Sequence, residues 1–409
     1  MTPDLPALSR TSLSGRVLVW YLSLIGFFAI FSTTLSKNPV LPLFVQALGG
    51  GDSVLGLIAA VSPLAGILFS FPVGVIADHI GTRRLLVASG VIFFLAPLLY
   101  LFVVDPLWLI PVRFFHGMAT AILGPVVAAI IALRFPEEKG EMLGRYSSAT
   151  LVGRTLAPLA GGIILSVFLF LPGLVPYRLV YVAAALAAVP VLYMTLAYRE
   201  EEPGSLAVLR FGAFRESLVT FIANRHLRAT AMADMATYFV FGAFETFLPV
   251  YLFSLGFGAW QIGVIFAVQV LIIAASKPFF GRIADRIDKR VQICSGLLVT
   301  GCPVALIPFT SDFFSLLVLS AVFGAGMSLS TVATSAYVAD VAKKEQIGAS
   351  MGALSSIMDI GHSAGPLFTG VIITLAGYTE GFLAGFVLTV IVTAIFVLSV
   401  RNRTPGSSG

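Results

Sequence analysis

Seven charged side chains stand inside long apolar runs of this 409-residue chain. Lys37, Arg113, Arg154 and Lys277 are basic, Asp234, Glu245 and Asp359 are acidic, and His116 and His362 lie among them. A charge at mid-bilayer costs roughly 2.5–3.5 kcal/mol on insertion scales, so each defaults to a functional hypothesis. The chemistry open to such groups is proton binding, ion pairing or contact with a polar ligand. Asp359 and His362 are spaced i, i+3 and share a helix face. A carboxylate beside an imidazole is a candidate protonation switch, because His titrates near neutral pH. The alternative is a structural cluster. Asp234 is a rival proton site. Arg113 is a candidate for proton coupling or ligand contact, or a hydrogen-bonding hub for backbone carbonyls. Lys277 lies near a helix end and is expected to snorkel to the interface.

The elements that must position these residues are helices in a membrane. The chain is 58% hydrophobic and 11% charged, whereas soluble domains carry about 25% charged residues. A spanning helix needs about 20 mostly apolar residues, and twelve such segments are expected, near 17–46, 53–77, 84–104, 107–134, 146–168, 178–198, 228–253, 260–280, 291–310, 313–339, 349–375 and 380–400. Helices satisfy their own backbone hydrogen bonds in lipid, and the alternating pattern of a membrane barrel is absent. The fold class is therefore all-α integral membrane. Cys294 and Cys302 share one apolar run and imply no disulfide. The N-terminal residues carry no signal-peptide pattern.

With the N-terminus inside, 20 of the 25 Lys and Arg residues fall in cytoplasmic segments, and only Arg178 falls in an outside loop. This positive-inside bias places both termini in the cytoplasm. It also accounts for the net charge of +5 without nucleic acid. The longest connection opens on Glu200-Glu201-Glu202-Pro203 and turns amphipathic through Leu218, Phe221 and Ile222. It is expected to be a linker carrying a short helix on the inner membrane surface. The domains are then an N-terminal bundle (1–199), a cytoplasmic linker (200–227) and a C-terminal bundle (228–409).

The two bundles are copies. From Leu41 to Arg83, 16 of 43 positions are identical to those 207 residues later, without a gap. Glu245 falls on Asn38 under this shift, next to Lys37. Lys37 and Glu245 should therefore lie at similar depth, near the outer ends of spans one and seven, where they can pair across a vestibule. The alternative is that each snorkels to the outer interface.

The repeat contains a short charged loop, Gly74-Val-Ile-Ala-Asp78-His-Ile-Gly81-Thr-Arg83-Arg84, between spans two and three. A degenerate copy, Gly281-Arg-Ile-Ala-Asp285-Arg286-Ile-Asp288-Lys289-Arg290, lies between spans eight and nine. This loop resembles the signature of the major facilitator superfamily, and the resemblance covers the whole chain: twelve spans, a six-plus-six repeat and a long central loop. Arg113-Phe-Phe-His-Gly117 resembles the family's Arg-x-x-x-Gly motif. Gly153-Arg154-Thr-Leu-Ala157-Pro158-Leu-Ala-Gly161-Gly162 resembles a span-five motif of its drug–proton antiporters, with Ala157 where that motif has Gly. Gly361-His362-Ser-Ala-Gly365-Pro366 is its cognate in the second half.

The resemblance implies two pseudo-symmetric six-helix bundles that rock about a central site, with spans 1, 4, 7 and 10 lining the cavity and spans 2, 5, 8 and 11 facing the partner bundle. It implies a cytoplasmic latch at Asp78, Arg83 and Arg84, with a weaker copy at Asp285, Arg286 and Arg290, where Asp288 replaces the turn glycine. Arg154 is expected to face span eight. The aromatics Tyr238, Phe239, Phe241, Phe244 and Tyr337 fall on cavity spans, as packing or as contacts for an apolar cargo.

The functions weighed are proton-coupled export of amphipathic or drug-like molecules and, alternatively, proton-coupled symport of a small organic anion. Lys37, Arg113 and Arg154 favour the second through attraction for carboxylates. The antiporters of this branch often carry an acid in span one, where this chain has only Lys37, and this weighs against cationic cargo. A receptor built on a transporter scaffold would need an extra domain or long tail. An enzyme is not expected, since no phosphate-binding loop, metal cluster or nucleophile–base arrangement is visible. No cofactor or metal is expected. The expected setting is a prokaryotic-type cytoplasmic membrane, with a small-molecule substrate, protons as coupling ion, the lipid bilayer around it and a monomeric chain.

Overall fold

A computed structural model of the protein describes residues 15–199, 219, 221–342 and 347–400, with the side chains at 15, 16, 70–80, 348 and 349 outside that description. The described residues form helices. The first half contains α1 (Gly15–Leu35), α2 (Val40–Ala47), α3 (Asp52–Ile80), α4 (Thr82–Tyr100), α5 (Leu109–Arg134), α6 (Lys139–Phe168) and α7 (Val175–Ala197). The second contains α8 (Arg225–Ser254), α9 (Ala259–Ala284), α10 (Lys289–Leu306), α11 (Phe313–Val341), α12 (Ile347–Ala376) and α13 (Tyr378–Val400). The first expected span is two helices, α1 and α2, joined by a turn at 36–39 that holds Lys37 and Asn38. The other eleven spans are one helix each.

Among the described residues, eleven spans are long and apolar enough to cross a membrane. The twelfth, α12, has 30 residues but is diluted by Ser355, Ser356, Asp359, His362 and Ser363. It is packed between α8, α3 and α13, and a helix so covered tolerates polar residues that lipid would not.

Side-chain caps start several helices, accepting from N–H groups that would otherwise be orphaned. The Asn224 side chain accepts from His226 and Leu227 N–H at 2.9 and 3.3 Å to begin α8, and Asp312 accepts from Ser315 N–H at 2.9 Å to begin α11. The signature loop turns at Gly81, whose φ of 89° suits glycine. In the second copy Asp288 has an ordinary φ of −56° and caps α10 by accepting from Arg290 N–H. The two loops thus reach the same turn by different means.

The repeat is visible in the packing. In the first half α1 packs on α6 and α7, α3 on α5, and α4 on α5 and α7; in the second α8 packs on α12 and α13, α9 on α11, and α10 on α11 and α13. Each pairing recurs six spans later. The halves meet along two crossed seams, α3 against α12 and α6 against α9, which are spans 2, 5, 8 and 11. Most of the linker lies outside the described residues, Leu218 included. Phe221, at its end, is 1% exposed and packs with Leu227, Ala231, Val338, Ala353 and Leu354 of the second half. Phe221 is thus packed against protein, while its neighbour Ile222 is 48% exposed.

Candidate functional site

The site is built where α2's preceding turn, α8 and α12 meet, and Glu245 is its centre. Lys37 Nζ donates to Glu245 Oε2 at 2.5 Å. His362 Nε2 lies 3.1 Å from the same oxygen. The Asn38 amide donates to Oε1. Glu245 is 9% exposed, so a carboxylate of the second half is held by two residues of the first and one of its own. Such a pair adds little net stability, since desolvation offsets attraction, but removing one partner leaves a buried charge uncompensated. Its value here is positional, because it fastens one half to the other.

Close helix packing sets this geometry. A Cβ at Gly361 or Gly365 would overlap the backbone of α8 at Met235 and Phe239, so these two glycines, one turn apart, let α12 approach α8 and bring His362 to Glu245. In the first half Gly153 meets the α1 backbone at Phe27, and Gly161 meets Leu35 and Val40. The seams repeat the scheme. Gly56 of α3 sits against the Pro366 carbonyl of α12, and Gly263 of α9 against the Pro158 carbonyl of α6. Gly56 and Gly263 are 207 positions apart, so the two seams are copies of one contact. Gly162 meets Ala259 and Gly370 meets Asp52.

Hydrogen bonds tie the same end. Tyr378 O–H donates to Asp52 Oδ1 at 2.7 Å, the Ser53 and Thr374 hydroxyls lie 2.6 Å apart, and Trp260 N–H donates to Ser166 Oγ at 2.9 Å. All these contacts lie at the end opposite the Lys- and Arg-rich loops.

The remaining charges are distributed around this centre. Arg113, 2% exposed, is within electrostatic reach of Lys37 and of Tyr100, His116 and Tyr181. Tyr100 stacks on Tyr181 at 4.4 Å, and its hydroxyl is 3.4 Å from His116 Nδ1. Among the described residues no carboxylate pairs with Arg113, and its Nε has no hydrogen-bond partner. Arg154 is exposed on α6 and lies within electrostatic reach of Lys37, Tyr238, His362 and Lys277. Lys277 is also exposed, on α9.

Asp234 is 4% exposed and accepts from Thr334 Oγ1 of α11 at 2.8 Å. It lies eleven residues before Glu245, about 16 Å along the helix, so the two do not form one site. Asp359 and His362 share α12 but serve different neighbours: Asp359 lies against Gly66 of α3, whereas His362 reaches Glu245.

In the signature loop, Arg83 donates to the Tyr198 carbonyl at 2.8 Å, while the side chains of Gly74 and Asp78 lie outside the described residues. In the second copy Lys289 pairs with Asp340 at 2.8 Å, and Arg290 reaches Asp288 at 3.7 Å and the Val400 carbonyl at 3.4 Å. No ion pair of Asp285 or Arg286 appears among the described residues. Phe244 stacks on Phe323 at 4.1 Å in the core, and the Tyr337 hydroxyl lies 3.0 Å from His226 Nδ1 near the basic end.

Sequence reasoning missed Asn38 and Thr334 as carboxylate partners. Asn38 was within reach, since the repeat shift places it on Glu245. Thr334 had no local signal. Among the described residues no group of His, Cys, Asp and Glu is placed to hold a metal ion, and both cysteines are free.

The model of the Major Facilitator Superfamily matches residues 22–302 and 261–409. The chain is 23% identical to an uncharacterized MFS-type transporter of Methanocaldococcus jannaschii over 89% of this chain and 93% of that one. It is 24% identical to the multi-drug resistance efflux pump PmrA homolog of Lactococcus lactis, over 92% of both chains, and 24% identical to the quinolone resistance protein NorA of Staphylococcus aureus, over 88% and 90%. In fold it is similar to a bacterial homolog of the human lysosomal transporter Spinster in an inward-facing, unoccupied conformation, with a TM-score of 0.81, 18% identity and coverage of 97% and 100%. With its two six-span copies, crossed glycine–proline seams and a family match that runs almost from end to end, this multi-pass membrane chain belongs to the Major Facilitator Superfamily and is a transporter.

Proposed function

We propose that the chain exports small amphipathic, drug-like molecules in exchange for protons, by alternating access of a central site. The observation that carries this reading is the Glu245 cluster. A carboxylate of one half that holds a cation of the other is a bond that closes one entrance and that a proton or a cargo cation can compete for. The span-five motif and the resistance pumps among the relatives support export. Contacts between the halves at the end away from the basic loops support an inward-facing state, in a cytoplasmic membrane with both termini inside. The reading takes the chain as a monomer.

Uptake of a small organic anion is the second reading, favoured by Arg113 and Arg154, which have no carboxylate partner among the described residues. The test uses liposomes containing the purified protein and an internal pH dye. Proton movement opposite to an added lipophilic cation or neutral drug is the expected result. Proton movement together with a carboxylate would replace export by anion symport.

A further inference from the structure

Both oxygens of Glu245 are taken. Oε2 accepts from Lys37 at 2.5 Å and lies 3.1 Å from His362, and Oε1 accepts from Asn38. The groups within electrostatic reach of Lys37 are Glu245 from α8, His362 from α12, Arg113 from α5 and Arg154 from α6. One is acidic and three are basic. A cargo cation that approaches Glu245 finds the seat filled by the protein's own ammonium. If it takes that seat, Lys37 loses its counter-ion and faces only basic neighbours.

We propose that the Lys37 ammonium and a cationic cargo compete for the Glu245 carboxylate, and that the coupling proton rides on Lys37 rather than on a carboxylate. The proposal rests on the export reading above. On the inward-open side the cargo cation takes Glu245 Oε2 and displaces Lys37. A half-buried ammonium without a counter-ion and beside basic groups is costly. One N–H bond of Lys37 therefore breaks, its electron pair stays on nitrogen, and the proton passes to cavity water. The Lys37–Glu245 ion pair between the halves is now broken while the Asn38 amide still holds Oε1, so cargo binding itself loosens the entrance that Lys37 had held shut. On the far side the cargo leaves, the Lys37 lone pair takes a proton from water, and the ammonium closes on Glu245 again. One monovalent cation goes out and one proton comes in, and the net charge of the site is the same in both occluded steps. The basic residue in span one, an argument against cationic cargo in the sequence, becomes part of how such cargo is handled.

The test is binding of tetraphenylphosphonium to the purified full chain in lipid nanodiscs, with proton release followed by a pH dye. The wild type is expected to release a proton on binding. Lys37→Met should bind the probe about ten-fold tighter or more, for lack of its competitor, at a pH high enough to keep the unpaired Glu245 ionised. Lys37→Arg keeps the bridge and so guards against misfolding; it should bind more weakly and release no proton, because a guanidinium does not deprotonate. An unchanged affinity in Lys37→Met, or a proton release in Lys37→Arg equal to that of the wild type, would overturn the competition alone. No binding of the probe to the wild type would overturn cation export and the competition together.

Discussion

The two halves of this transporter share a frame and differ in charge. Their helix pairings repeat six spans apart, and Gly56 and Gly263 make the same contact with a proline carbonyl on opposite seams. Yet the cluster between them takes Lys37 and Asn38 from the first half and the carboxylate of Glu245 from the second. Glu245 stands where the first half has Asn38. Arg154 and His362 correspond as well, each four residues before a helix-interior proline, Pro158 and Pro366. The lesson is that packing positions were kept by both copies, because any side chain larger than hydrogen would part the seam. Polar positions at the centre were free to diverge, and their divergence made a bond between the halves.

The largest effect should come from removing the bond itself. Glu245→Gln leaves the Lys37 ammonium buried without a partner, which costs about 3–5 kcal/mol for a broken buried pair. A fall in melting temperature and loss of transport are expected, and the exchange Lys37→Glu with Glu245→Lys should recover part of the stability. Full activity of Glu245→Gln would show that the charge difference between the halves is incidental.

The likeness of the seams is tested next. Gly56→Val and Gly263→Val should act alike, each costing about 1–3 kcal/mol from overpacking against backbone. Both should leave the entrance at the Asp52–Tyr378 end open to an impermeant thiol reagent at an introduced cysteine. Gly144→Val, where nothing lies within 4 Å, is the control. If only one of the two seam variants opens that end, the seams are not equivalent in function.

Thr334→Val removes one donor to the buried Asp234, about 1–3 kcal/mol, because an unsatisfied buried acceptor keeps its desolvation cost. It should leave probe binding at Glu245 unchanged if the two acids on α8 act separately. Smaller effects should separate the two loops. Gly81→Ala forces a φ of 89° on a residue with a side chain, about 1–2 kcal/mol. Asp288→Ala removes the cap of α10, about 1 kcal/mol. Thermal melts of the two variants should rank in that order.

The sequence by itself determined the membrane setting, the repeat and the family, because apolar run length, charge sidedness and the 207-residue register are properties of local composition and spacing. It brought Lys37 and Glu245 to one depth through the repeat, and it singled out the glycines and prolines that later prove to form the seams. It did not determine which charges touch. Asp359 and His362, one turn apart on α12, read as a pair, yet the crossing of α12 between α3 and α8 sends one to Gly66 and the other to Glu245. Nor did it show that Asn38 completes the carboxylate's partners or that Arg113 lies among Tyr100, His116 and Tyr181. A helix face is fixed by sequence, but its neighbour is fixed by how helices from two halves cross, and at separations of a hundred residues or more only the tertiary structure decides that.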